Sequence, residues 1–365
     1  MQQVTNLSTA GIFVVALGAH TAVGRTAAAS SAAVRARICR YRQHTYMTSA
    51  DGEPVSVAAA PWLEPDVPLG QRIQALCSGA AREAVQPLLG FLPHLRGYVP
   101  RLGVVVATSD DRPGLPRNFA LGLKGALEEV LGQHLPGTQV EVCSSGQAAG
   151  VVAMMRGFQA LSAGAPGSPE FYLVGGADSH LGPESLLQLE KRRQLHGEDN
   201  PWGFIPGEAA GFCLLASKVA AQHYGLRPLL ELVSVAVSRE PNTLGGQGVC
   251  IGAGLSRAVA EVLQACPVPA VDVILSDQNG ETYRADEFGF TLARYARRFA
   301  APPDFRTPAT CWGDVGAASV PLFAGLVAAS GQRGYAFGDY GLVLASSESD
   351  QRGAVLVRLS SCVGK

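Results

Sequence analysis

The sequence predicts an α/β fold in two similar halves, and three observations carry that reading. Unbroken Val/Ile/Leu runs such as "RLGVVVATS" and "AVDVILSD" alternate with helical stretches, the pattern of strands buried on both faces. The chain of 365 residues is 47% hydrophobic and only 16% charged, so it has ample material for a large core. The strand–helix scheme then starts again after Gly225, which divides the chain into halves 1–225 and 226–365.

The elements follow in order. "GIFVVALGA" reads as a strand, "RTAAASSAAVRARI" as a helix and "PLGQRIQALCSGAAREAVQPLLGFL" as a long amphipathic helix. After the strand "RLGVVVATS" come the helix "NFALGLKGALEEVLGQHL", the strand "TQVEVC" and a small-residue helix. "EFYLVGGADS" and "GEAAGFCLLAS" close the first half as strands. In the second half "RPLLELVSVAVSRE" is strand-like, "GLSRAVAEVLQAC" helical and "AVDVILSD" a buried strand. "EFGFTLARYARRFA" and "GDVGAASVPLFAGLVAAS" are helices, and "DYGLVLASSESDQRGAVLVRLS" is strand, polar turn and strand.

Charge and composition exclude several functions. The net charge is −1 and the basic residues are dispersed, which argues against nucleic acid or an anionic membrane as partner. "AGIFVVALGA" is too short to span a bilayer and follows no basic segment, so a cytoplasmic location is expected. The eight cysteines (39, 77, 143, 213, 250, 266, 311 and 362) include no C-x-x-C pair. No zinc site or disulfide framework is therefore expected, and most of these thiols read as small buried hydrophobes. "GGQGVCIGAG" lacks the third glycine of a nucleotide loop in either register.

Cys143 stands where an apolar strand gives way to a small-residue helix. Free N–H groups at a helix start favour a thiolate and can hold a thioester carbonyl oxygen. A buried structural thiol is the competing reading. An α/β-hydrolase elbow does not fit, because Glu141 occupies the position where that motif needs glycine.

The segment "VCSSGQAAGVVAMMRGFQALSAG" resembles the active-site region of the β-ketoacyl synthases. "YLVGGADSHLGPESL", "WGFIPGEAAGFCLLAS" and "CWGDVGAASVPLFAGLV" resemble three further stretches of that family in the same order, and "VVALGAHTAVG" suits its first strand. The resemblance implies a thiolase-like five-layered α-β-α-β-α sandwich of two similar halves, with Glu208 as a structural carboxylate. It also implies that Cys143 is loaded with an acyl group from acyl carrier protein or coenzyme A, then transfers or condenses it. A homodimer, or a heterodimer with another synthase, is the expected assembly. No metal, nicotinamide or flavin is implied.

The family pattern breaks in the second half. Elongating synthases use two histidines there, whereas this chain's seven histidines (20, 44, 94, 134, 180, 196 and 223) all precede that region. The resemblance places Asp277 and Asp314 at the two catalytic positions, with Gln278 as the alternative occupant of the first. It places Asn279, Gly280, Thr282 and Gly313 around the substrate. An ionised carboxylate cannot donate to an enolate oxygen, so one aspartate must hold a proton or act as a general base. Asp277 capping a turn and Asp314 capping a helix are the structural alternatives. A catalytically degenerate subunit that partners an active synthase is the second functional reading. The oxyanion turn near the C-terminus is expected at "SSESDQRG" or "FGDYG".

Overall fold

The computed structural model describes residues 11–95, 97–109, 112–246, 248–265 and 270–360, so Gln247, Cys266 and Cys362 lie outside the described residues. Strand β1 (Ile12–Thr21) leads to helix α1 (Ala27–Arg35), whose start Thr26 caps by accepting from the Ala29 N–H. The hairpin β2 (Arg42–Thr48) and β3 (Pro54–Val57) forms a sheet of its own. Helix α2 (Leu69–Phe91) buries a stripe from Ile73 through Leu76, Ala80 and Ala84 to Leu88. Then come β4 (Leu102–Thr108), α3 (Phe119–Gly132), β5 (Gln139–Ser144), α4 (Ala149–Ala163), β6 (Phe171–Ser179), α5 (Pro183–Lys191), β7 (Glu208–Ser217) and α6 (Lys218–His223). The second half runs β8 (Leu230–Arg239), α7 (Ala253–Ala265), β9 (Val271–Ser276), α8 (Thr282–Tyr295), β10 (Phe299–Arg306), α9 (Ala309–Trp312), α10 (Ser319–Gln332), β11 (Tyr340–Ser346) and β12 (Gln351–Leu359).

One arrangement of strands occurs twice. The ten-stranded sheet has the order β10-β9-β11-β12-β8-β1-β7-β6-β4-β5. Outward from the middle, β1-β7-β6-β4-β5 matches β8-β12-β11-β9-β10. In each half the last three strands are parallel and the first two antiparallel. The halves join where Phe13 pairs with Glu231 and Val14 with Leu230. The two expected sheet layers are thus hydrogen-bonded into one sheet along that edge, and twist carries them apart beyond it.

Side-chain packing supplies the layers. Helices α2 and α3 cover one face of the first half, and α7 covers the corresponding face of the second together with Phe288 of α8. Between them α4 and α10 share one apolar core with strands of both halves, including Val174, Leu215, Leu275 and Val355. This is the five-layered α-β-α-β-α sandwich. Among the described residues, no helix is long and apolar enough to cross a membrane.

The central helices sit very close to the strands. A Cβ at Gly176 of β6 would come within 2.1 Å of the Ala317 carbonyl oxygen, just ahead of α10. Neither backbone can yield without moving the layer. Gly176→Ala is therefore expected to destabilise the fold by about 3 kcal/mol or to prevent soluble expression; urea unfolding measures the cost, and a change below about 0.5 kcal/mol would refute the close seating.

Candidate functional site

The thiol that the sequence places at a helix start is in a strand. Cys143 lies within β5, opposite Ala107 of β4, and its side chain is buried in the central core. The thiol donates to the carbonyls of Val106 (3.6 Å) and Ala149 (3.7 Å). Burial pushes it up to about 11, with Glu141 adding to the rise and Arg156 opposing it. The helix-start activation expected for Cys143 is absent, because the chain inserts more residues before it turns. Gly146 takes a left-handed φ of +64°, a short 3-10 turn spans Gly146–Ala148, and α4 follows.

Gln147 occupies the mouth of that helix. It is buried, yet with Gly146 it lines a cleft of about 220 Å³ whose other walls include Ser109, Arg112, His180 and Arg192. The Ala148 N–H donates to the Ser347 hydroxyl oxygen at 3.0 Å, and that hydroxyl donates to the Ser145 carbonyl. The Ser347 N–H is used within its own turn, on the Gln351 carbonyl at 3.0 Å. The turn "SSESDQRG" therefore presents a hydroxyl to the helix mouth, while Ser347's own amide donor is engaged elsewhere.

The two aspartates act on each other through their charges and bond to separate partners. Asp314 follows Gly313, whose φ of +74° and contact with the Ile205 carbonyl leave no room for a side chain. One Asp314 oxygen accepts from the Gly316 N–H (2.8 Å), capping the turn that precedes α10, and the other accepts from Asn279 Nδ2 (2.7 Å). His180 Nε2 stands 3.5 Å from the first oxygen. Burial alone would raise the Asp314 carboxyl. His180, Arg284 and the Gly316 N–H outweigh it and hold the group well below the usual carboxylate range.

Asp277, just past β9, accepts from the Ser346 N–H (2.7 Å) and Arg284 Nη1 (3.2 Å). Here burial wins: against the pull of Arg284 and Ser346, and helped by Asp314 and Glu287, the carboxyl rises to about 6. Arg284 also donates to Glu281, which Gln194 and Asn279 hold as well. Gly280 (φ +121°) closes this turn, and Thr282 begins α8 with its side chain exposed. The structure thus gathers Asp277, Asn279, Gly313 and Asp314 and leaves Thr282 aside. The charged side chains that act on Cys143 are Arg156 and Glu141.

Several members of the site were missed by the sequence reading. Asp178, at the end of β6, accepts from Arg112 Nη2 (3.2 Å) and from the Ala317 N–H (3.1 Å). Arg112 also touches His180 Nδ1. The signal was the "ADSH" at the end of β6, passed over because the histidines were sought only in the second half of the chain. Glu208, expected from the family resemblance as a structural carboxylate, is fully buried, accepts two bonds from Arg72, one from the Ala60 N–H and one from the Ser179 hydroxyl, and so locks α2 to β7. Glu240, Cys250 and Glu287 bring potential ligand atoms within 4.8 Å of one another, but Arg352 already meets the Glu287 charge (Nε–Oε1 2.5 Å).

No family model and no curated protein matches the sequence. Solved structures do match in shape. The ishigamide ketosynthase/chain length factor aligns over 96% of this chain and 100% of its own, with a TM-score of 0.75 at 17% identity. A type II polyketide ketosynthase, in complex with its acyl-carrier protein and bound to the hexaketide, aligns over 96% and 100% with a TM-score of 0.79 at 14% identity. The ketosynthase from module 6 of the bacillaene synthase of Bacillus subtilis 168 aligns over 96% and 72% with a TM-score of 0.77 at 13% identity. The fold is that of a ketosynthase. Within this ketosynthase fold, the cleft offers cationic and hydrogen-bonding groups and, among the described residues, no thiol.

The acids give opposite pH signatures. Asp277 is raised in the fold from 3.8 to about 6, so its contribution to stability is present below 3.8 and lost as pH rises towards 6. Asp314 is lowered, so its contribution is present above 3.8 and lost on acidification. Subtracting the unfolding free energy of Asp277→Asn from that of the parent should give a difference that falls across pH 4 to 6 and then levels. A difference that rises with pH would place the Asp277 shift in the wrong direction.

Proposed function

We propose that this chain is a ketosynthase-like subunit without a working nucleophile, which pairs with an active ketosynthase and shapes a site shared with it. One observation supports this above the others: the helix mouth that opens on the cleft carries the Gln147 amide, while Cys143 sits in a strand with its thiol turned to carbonyls. An amide cannot carry an acyl group. The Ala148 N–H, placed to polarise a thioester carbonyl, is engaged by Ser347. The positions that the family resemblance reserves for imidazoles hold Asp314, kept ionised, and Asp277, tied to Arg284. Two of the solved neighbours fit the same reading: one is a ketosynthase/chain length factor, and another is a ketosynthase holding its acyl-carrier protein. On this reading the partners are an active ketosynthase, as a heterodimer, and the acyl carrier protein that visits the pair.

The test is acylation. The purified protein, incubated with acyl-coenzyme A and acyl-carrier thioesters, should show no acyl adduct by intact mass and should form a stable complex with a ketosynthase co-expressed with it. Gln147→Cys should be alkylated by iodoacetamide about tenfold or more faster than Cys143, because the helix mouth favours thiolate and the core does not. An adduct on the parent protein that disappears in Cys143→Ala would restore Cys143 as an acyl-transfer nucleophile and end the partner reading.

A further inference from the structure

Cys39 and Cys311 are distant in sequence and share one patch of the fold. Cys39, exposed in the segment after α1, points its thiol at the Thr310 carbonyl, 2.9 Å away, in α9. Cys311 is the next residue of that one-turn helix and is buried, with its sulfur 4.0 Å from the Thr310 hydroxyl. The two stretches are already clipped together. The Arg40 N–H donates to the Cys311 carbonyl (3.2 Å) and the Tyr41 hydroxyl to the Ala309 carbonyl (3.0 Å). The Cys39 thiol is thus seated on the residue that immediately precedes Cys311, with Arg40 bonded to Cys311 itself.

We propose that Cys39 and Cys311 are a redox pair that closes to a disulfide, fastening the segment after α1 to the helix that leads into Gly313 and Asp314. The oxidant is a small-molecule disulfide of the glutathione class. The exposed Cys39 thiolate attacks one glutathione sulfur, forming a mixed disulfide and expelling the other glutathione as its thiolate. The Cys311 thiolate then attacks the Cys39 sulfur and releases the second glutathione thiolate. The two protons lost by the protein thiols end on the two glutathiones, and the protein is oxidised by two electrons as the glutathione disulfide is reduced by two. Burial raises the Cys311 thiol, against the pull of the Thr310 hydroxyl and Arg37, which suits the second step rather than the first. A disulfide so formed has one exposed sulfur and is open to reduction again, as labile regulatory bonds are.

The experiment uses the full chain in oxidised glutathione, followed by proteolysis and mass mapping without reductant. The expected product is a peptide joining Cys39 to Cys311, lighter than the two free peptides by two hydrogens and split by dithiothreitol. Cys39→Ser, a change at an exposed site, must leave Cys311 reduced under the same conditions. Persistent glutathione on Cys39 without the cross-link overturns the proposal, as does oxidation of Cys311 in Cys39→Ser. So does a Cys39 that stays free in oxidant.

Discussion

The geometry of the site depends on a crossed brace between the two halves. Each half threads the same device: a left-handed glycine (Gly146, Gly316), a 3-10 turn and a central helix. Each turn is tied down by a side chain from the end of the equivalent strand in the other half. Asp178, closing β6, accepts from the Ala317 N–H at the mouth of α10, and Ser347, just beyond β11, accepts from the Ala148 N–H at the mouth of α4. Because β6 and β11 hold the same place in the two sheets, the ties cross the pseudo-symmetry of the molecule. Orphan N–H groups at a buried helix start must find acceptors, and here each half supplies the other's. A helix mouth held in this way is rigid, and its leading donor is already committed.

Most of the fold could be read in the sequence because its strands are buried on both faces, so continuous apolar runs mark them unambiguously. β4, β6, β7 and β9 are of that kind. β10 was missed for an equally physical reason: "FAAPPDFR" carries two prolines, which a strand tolerates only at a sheet edge, and β10 is an edge. The β2–β3 hairpin was missed because β2 is mostly exposed and shows no apolar alternation. At the site the sequence marks the segment that leads into the central helix, with Cys143 expected at the helix start, whereas the structure keeps Cys143 in β5. Apolar alternation fades at Cys143, yet the strand runs on to Ser144 and the turn takes Gly146–Ala148, which moves the helix mouth to Gln147. Strand ends are set by hydrogen bonds to a neighbour, here β4, and a single strand's pattern does not carry that information. His180 shows the complementary failure, since chain order says nothing of which loops meet in space.

The acids illustrate how burial and partners decide between two residues of one type. Asp314 and Asp277 are both enclosed, and both feel Arg284. Asp314 adds a histidine and a turn N–H to its partners and stays ionised. Asp277 has Arg284 and one N–H but also faces the charge of Asp314, so desolvation prevails. The pair therefore behaves as a structural network that fixes the loops after β9 and α9. It reaches the cleft through His180, whose ring bridges Asp314 and Arg112.

Replacing one catalytic residue leaves many enzymes with residual activity, because the remaining groups still bind and polarise the substrate. On the proposed reading three losses coincide here, and each removes a different physical contribution. Gln147 at the helix mouth offers no electron pair able to hold an acyl group. Ser347 occupies the N–H that would stabilise an oxyanion, and it is held there by its second bond, to Ser145. The two aspartates are satisfied by an arginine, an asparagine and backbone amides. Leaving a buried polar group unpaired costs about 1–3 kcal/mol. Asp277, Asp314 and Ser347 are all paired within the frame. Those bonds commit the three side chains to holding loops and a helix mouth rather than a substrate, which is what the proposed partner subunit requires.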